Sequence, residues 1–131
     1  MPTGYGFRMH HYGPYSEELD DDLVLLKVTG YVNISPDPEG YGFHVKPADE
    51  PEAAWGKPVA AYKNEVQRVS QLFAERPAYE LELAATLHYV NHLLDPLQRS
   101  QLIEIVGSLK PRFDREQIAK MHEEMKAEGL A

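Results

Sequence analysis

The sequence predicts a mainly α (α+β) fold: a helical domain with a small β-hairpin wing, winged-helix-like in outline. Three observations predict it. Apolar residues recur at helical spacing through most of the chain. A Gly-Pro turn opens into a capped, acidic helix. A strand–turn–strand pattern follows that helix. The 131 residues fit a single domain. Within it, residues 1–46 read as strand, turn, acidic helix and hairpin, residues 47–58 as a connection, and residues 59–131 as a helical bundle portion.

Tyr5 to Tyr12 is rich in aromatic residues and ends at Gly13-Pro14, so it reads as an extended segment. A residue before proline is pushed away from helix, which places the first helix after Pro14. Ser16 is its natural N-cap, because a serine oxygen accepts from an orphan N–H. Glu17, Glu18, Asp20, Asp21 and Asp22 follow, where negative charge suits the positive end of the helix dipole. Leu19, Leu23 and Leu26 form the expected buried stripe, widened by Val24 and Leu25. Gly30 ends the helix. Tyr31 to Ile34 and Tyr41 to Val45 then read as two strands around the turn-forming Pro36-Asp37-Pro38-Glu39-Gly40.

Three prolines between Lys46 and Pro58 mark an exposed connection. The next helix should bury Tyr62, Val66, Val69 and Phe73, with Leu72 beside them, and stop at Arg76-Pro77. Ala78 to Leu94 is apolar around most of its circumference, which predicts a central core helix. Asp95-Pro96-Leu97-Gln98 reads as a start signal, with Asp95 as N-cap, Pro96 at N1 and Gln98 at N3. Leu102, Ile103, Val106 and Leu109 supply that helix's buried face. Beyond Pro111, Asp114 and Gln117 form a capping box, Phe113 and Ile118 a hydrophobic staple, and Ile118, Met121 and Met125 an apolar stripe.

Charge and composition exclude several functions. The formal charge is −8, and residues 1–55 hold three basic side chains against ten carboxylates. Such a half repels nucleic acid, since phosphate contacts supply most of that affinity. There is no cysteine, which removes thiol catalysis, disulfides and Cys-based zinc sites and fits a reducing cytoplasm. No apolar run reaches membrane-spanning length.

Candidate chemistry is sparse. His88 and His92 share a helix face, yet Tyr89 stands where a zinc protease places glutamate, so both read as structural. His10 and His11 alternate on an extended segment, one ring expected packed and one solvated. Asp20, Asp21 and Asp22 splay over about 200° of helix and cannot converge on one cation. The two Gly-x-Gly pairs are too short for phosphate loops, and no serine lies in a nucleophile elbow. No catalytic, cofactor or metal residues are assigned, and a non-enzyme is expected.

The run Tyr12-Gly13-Pro14-Tyr15-Ser16, backed by Leu19, Leu23 and Leu26, resembles the YwgA-type family and the related SocA-like antitoxin (Panacea) domain. Glu80 to Tyr89 resembles that family's central helix. Ile105-Val106 through Leu109-Lys110-Pro111-Arg112-Phe113, with Ile118 and Met121, resembles its C-terminal end. The resemblance implies a bacterial or phage-related module that neutralises a toxin by protein contact or serves as a proteolytic adaptor. It supplies no catalytic residue. Members usually begin with a further helix, so a partner helix or a second copy is expected to cover Leu19, Leu23 and the 78–94 helix. The expected partner surface comprises Tyr12, Gly13, Pro14, Tyr15, Glu17, Glu18, Asp21 and Asp22, facing a protein partner or a second copy. The alternative is a winged-helix DNA-binding regulator using the 97–126 region, where Arg99, Lys110, Arg112, Arg115 and Lys120 lie.

Overall fold

A computed structural model describes residues 3–40, 42–48, 60–94 and 98–130. It is mainly α with antiparallel hairpins. Among the described residues, strands β1 (Arg8–His10) and β2 (Gly13–Tyr15) precede helix α1 (Glu17–Val28). Strands β3 (Val32–Pro36) and β4 (Phe43–Pro47) follow. A short 3₁₀ turn at Ala60–Tyr62 leads into α2 (Lys63–Phe73), then α3 (Ala78–Leu93), α4 (Arg99–Leu109) and α5 (Arg115–Ala127). Two compact units divide the chain. The first comprises residues 1–7 and 16–78, and the second residues 8–15 and 79–131.

In the first unit, Ser16 caps α1 as the sequence predicts: its Oγ accepts from the Leu19 N–H at 3.3 Å. The helix closes on Gly30, whose φ of 83° is left-handed. The Tyr31 N–H donates to the Leu26 carbonyl and the Gly30 N–H to that of Lys27, the paired bonds of a Schellman ending. Strands β3 and β4 pair with Ile34 opposite Val45 and Pro36 opposite Phe43. Side chains alternate along a strand, so Val32, Ile34, Phe43 and Val45 share one face of this hairpin.

The apolar stripe of α1 departs from expectation. Leu19, Leu23 and Leu26 are only half-buried, and Val24 and Leu25 are exposed rather than widening the stripe. At about 100° per residue, Val24 and Leu25 project from the side of the helix opposite Leu23 and Leu26, so one packed face cannot hold all of them. Helix α2 shows the same shortfall. Tyr62, Leu72 and Phe73 are half-buried, while Val66 and Val69 are exposed. The expected second strand begins at Phe43; Tyr41 lies outside the described residues, as do residues 49–58 of the expected connection.

The second unit holds the core. Leu83, Ala84, Leu87 and Val90 of α3 are buried, as are Leu102, Ile103 and Val106 of α4. Phe113 and, on α5, Ile118, Met121 and Met125 complete it. The predicted capping box forms: the Gln117 N–H donates to Asp114 Oδ1 at 2.8 Å, and the Asp114 N–H to Gln117 Oε1 at 2.9 Å. Helix α4 starts later than expected. Gln98 is extended and is the N-cap, its N–H donating to Gln101 Oε1 at 3.0 Å. The anticipated cap at Asp95-Pro96 lies outside the described residues. Leu109 is exposed, and Lys110 is buried beside it. Helix α3 buries a narrower face than its composition implies, for Tyr79, Leu81 and Leu93 are exposed, as is Leu94 just beyond its end.

Gly13-Pro14 is the largest local correction. The dipeptide is not merely a lead-in to α1; it belongs to strand β2. Residues Arg8, Met9 and His10 pair with Tyr15, Pro14 and Gly13 around a His11-Tyr12 turn. Proline is tolerated because a two-stranded ribbon leaves half of its backbone groups outside the ladder.

Candidate functional site

The eight residues expected to bind a partner divide between the units. Tyr12, Gly13, Pro14 and Tyr15 belong to the second, and Glu17, Glu18, Asp21 and Asp22 to the first. Each group has its own geometry.

The hairpin residues are held by a buried ionic cluster that apolar periodicity does not show. Glu82, on α3, has a side chain only 2% exposed. It accepts from Lys110 Nζ at 3.1 Å and from the Arg112 guanidinium. Lys110, itself 7% exposed, also donates to the carbonyls of His10 at 2.9 Å and His11 at 2.6 Å. Three ammonium hydrogens thus meet three acceptors, which is the condition for burying a lysine without leaving a donor unpaired. Gly13 lies over α3 at φ 108°, and a Cβ there would sit 3.5 Å from Glu82 Cγ and 3.6 Å from Thr86 Oγ1. Arg112 stacks over the Tyr12 ring at 5.7 Å and the Phe113 ring at 5.5 Å. Tyr12 is the exposed member of the turn, Gly13 is buried, and Pro14 and Tyr15 are half-buried. His10 and His11 are both exposed, correcting the expected division into one packed ring and one solvated ring; it is their carbonyls that are fixed. Glu82 shares its carboxylate with two cations inside the fold, an arrangement that suits anchoring rather than proton transfer to a substrate.

On α1, Glu17, Glu18, Asp21 and Asp22 are all exposed. The Tyr5 hydroxyl donates to Asp22 Oδ2 at 2.6 Å, and this bond, with some desolvation, raises the Tyr5 phenol above its usual value. Glu18 is held below the usual carboxylate range, first by its own backbone N–H and then by the Ser16 hydroxyl. Beyond the acids, the same helix exposes Val24 (52%), Leu25 (60%) and Val28 (77%). By angle, Val24, Val28 and Leu25 lie along the same arc as Glu17 and Asp21, with Glu18 at its edge. One outward face is therefore acidic over its first two turns and apolar over its last two. The acids are evident in the sequence, whereas apolar periodicity places Val24 and Leu25 in the interior.

The remaining candidates are structural in geometry. The His88 and His92 rings lie 4.0 Å apart. His88 Nδ1 donates to the Leu130 carbonyl and His92 Nδ1 to that of His88. Among the described residues, no group of three or more His, Asp or Glu side chains is placed to hold a metal ion. Gln98, Arg99, Ser100, Ile103, Arg115 and Ala119 line an open groove of about 510 Å³, where Arg99 pairs with Glu123 at 3.1 Å. No described helix is long and apolar enough to cross a membrane.

Comparison of the chain with protein-family models, curated proteins and solved structures returned no match.

Proposed function

We propose that this protein is a non-catalytic protein-binding module in which the second unit is the packed scaffold and the first presents the binding surface. One observation carries the reading. Among the described residues, every buried apolar side chain belongs to the second unit, while the first exposes Val24, Leu25, Val28, Phe43, Val45, Val66 and Val69. Full transfer of a Val, Leu or Phe side chain from water is worth about 1.5–3 kcal/mol. Covering several of these therefore competes with the ~4–15 kcal/mol lost on association. The resemblance of Tyr12–Ser16, Glu80–Tyr89 and Ile105–Phe113 to SocA-like domains supports toxin neutralisation, or delivery of a partner to a protease, as the specific form of this binding.

The alternative, a DNA-binding regulator using residues 97–126, keeps Arg99, Arg115 and Lys120 at the surface. It loses Lys110, which is buried against Glu82, and Arg112 is committed to the same carboxylate. Those two engagements favour the protein-binding reading.

Co-expression with the products of neighbouring genes tests it. A retained partner that Val28→Asp or Phe43→Asp releases supports the reading, and growth rescue by the chain identifies that partner as a toxin. Retention of no neighbouring product, together with a salt-steep gel shift of DNA, refutes it.

A further inference from the structure

The outward face of α1 has an order along its length, and the order constrains what fits it. The acidic centre lies near residue 19 and the apolar centre near residue 26, about 10 Å apart at 1.5 Å per residue. Glu17 with Asp21 and Val24 with Val28 form i, i+4 ridges of the kind that pack into the grooves of another helix. The helix carries Glu17, Glu18, Asp20, Asp21 and Asp22 against a single cation, Lys27. Complementary charge is therefore positive and belongs at the N-terminal end only. A wholly basic partner would leave Val24, Leu25 and Val28 against charge. A wholly apolar partner would desolvate the carboxylates without compensation.

We infer that α1 docks an amphipathic helix of a protein partner, whose basic residues overlie Glu17, Glu18 and Asp21 and whose apolar residues cover Val24, Leu25 and Val28. On the partner the two clusters are centred about two helical turns, or seven residues, apart. The inference rests on the protein-binding reading and names the chemistry of the partner at one element. The charge sets approach and register, while the apolar turns supply the contact that holds.

The test uses the full chain and fluorescently labelled synthetic helical peptides. One has two turns of Lys and Arg followed by two turns of Leu and Ile; a second has the same composition in shuffled order. Anisotropy gives the affinity at low and high salt, and hydrogen exchange locates the contact. The ordered peptide is expected to bind at least tenfold tighter than the shuffled one, to weaken as salt rises, and to protect residues 17–28. Val28→Asp and Asp21→Lys should each weaken it by roughly tenfold. Asp21→Asn, nearly isosteric, should weaken it less but flatten the salt dependence; circular dichroism checks that each variant is folded. Equal binding of the two peptides, or no binding, overturns the inference. Protection confined to β4 or α2 also overturns it while leaving the protein-binding reading in place. Concentration-dependent protection of residues 17–28 without peptide assigns the face to a second copy and overturns it as well.

Discussion

Replacing Lys110 by Met tests whether the buried cluster holds the β1–β2 hairpin. The substitution keeps the length of the side chain and removes the ammonium. Three acceptors then lose a donor: the His10 and His11 carbonyls and Glu82 Oε1. Breaking a buried ion pair by removing one partner costs about 3–5 kcal/mol, and hydrogen bonds to a charged group about 1.5–3 kcal/mol each, but these overlap and do not add. Arg112 remains on Glu82 and, with its side chain 40% exposed, compensates the carboxylate in part. A loss of about 3–4 kcal/mol is expected, a large fraction of the ~5–15 kcal/mol typical of a folded domain. Urea unfolding followed by circular dichroism measures it, with hydrogen exchange at residues 8–15 as the local readout. The double variant Glu82→Met/Lys110→Met should be less damaged than the sum of the singles by about 1–3 kcal/mol, because it leaves no unpaired buried carboxylate. A loss below about 1 kcal/mol for Lys110→Met, or strict additivity in the cycle, would refute the anchoring argument.

Other perturbations read neighbouring features. Gly13→Ala forces a side chain into φ 108°, and about 1–2 kcal/mol should be lost by the same urea titration. Thr86 Oγ1 is buried without a hydrogen-bond partner, so Thr86→Val should stabilise the fold by about 1 kcal/mol; a destabilisation would mean that the hydroxyl is in fact engaged. His122 is buried, and desolvation lowers its pKa below the ordinary value near 6.5. The unfolded chain therefore binds a proton first, and this group's contribution to stability, complete above about pH 6.5, declines as pH falls toward the folded-state value. Denaturation midpoints at pH 7.5 and pH 5.5 should differ less in His122→Leu than in the parent; equal differences would assign the acid sensitivity elsewhere.

Local grammar was legible in the sequence where a single residue has one job. Ser16 and Asp114 announce helix starts because their side chains reach only nearby N–H groups, and Gly30 announces an ending for the converse reason. The α3 core was legible from composition. What stayed hidden depended on distance or direction. Glu82 and Lys110 are 28 positions apart and polar, so a reading built on apolar periodicity passes over both, although their neutralisation fixes where the hairpin lies. The run Val24-Leu25-Leu26-Lys27-Val28 is apolar almost all round, and only packing decides which side faces inward. Gly13-Pro14 reads locally as punctuation, because its pairing with Met9 and His10 is a tertiary choice. The acids of the proposed binding face were legible; the apolar half of that face was not.

The contact between Lys110 and the His10 and His11 carbonyls also sets a sequence of events in time. During synthesis the hairpin emerges about a hundred residues ahead of the ammonium that fastens it. Residues 16–78 are complete before that clasp exists, so the unit with the exposed apolar face is also the one that can organise first. The nascent chain carries an unfastened hairpin until Lys110 leaves the ribosome. Non-local contacts of this kind form late and slowly. A partner of the proposed kind that met the chain at that stage would find α1 complete before the second unit had closed.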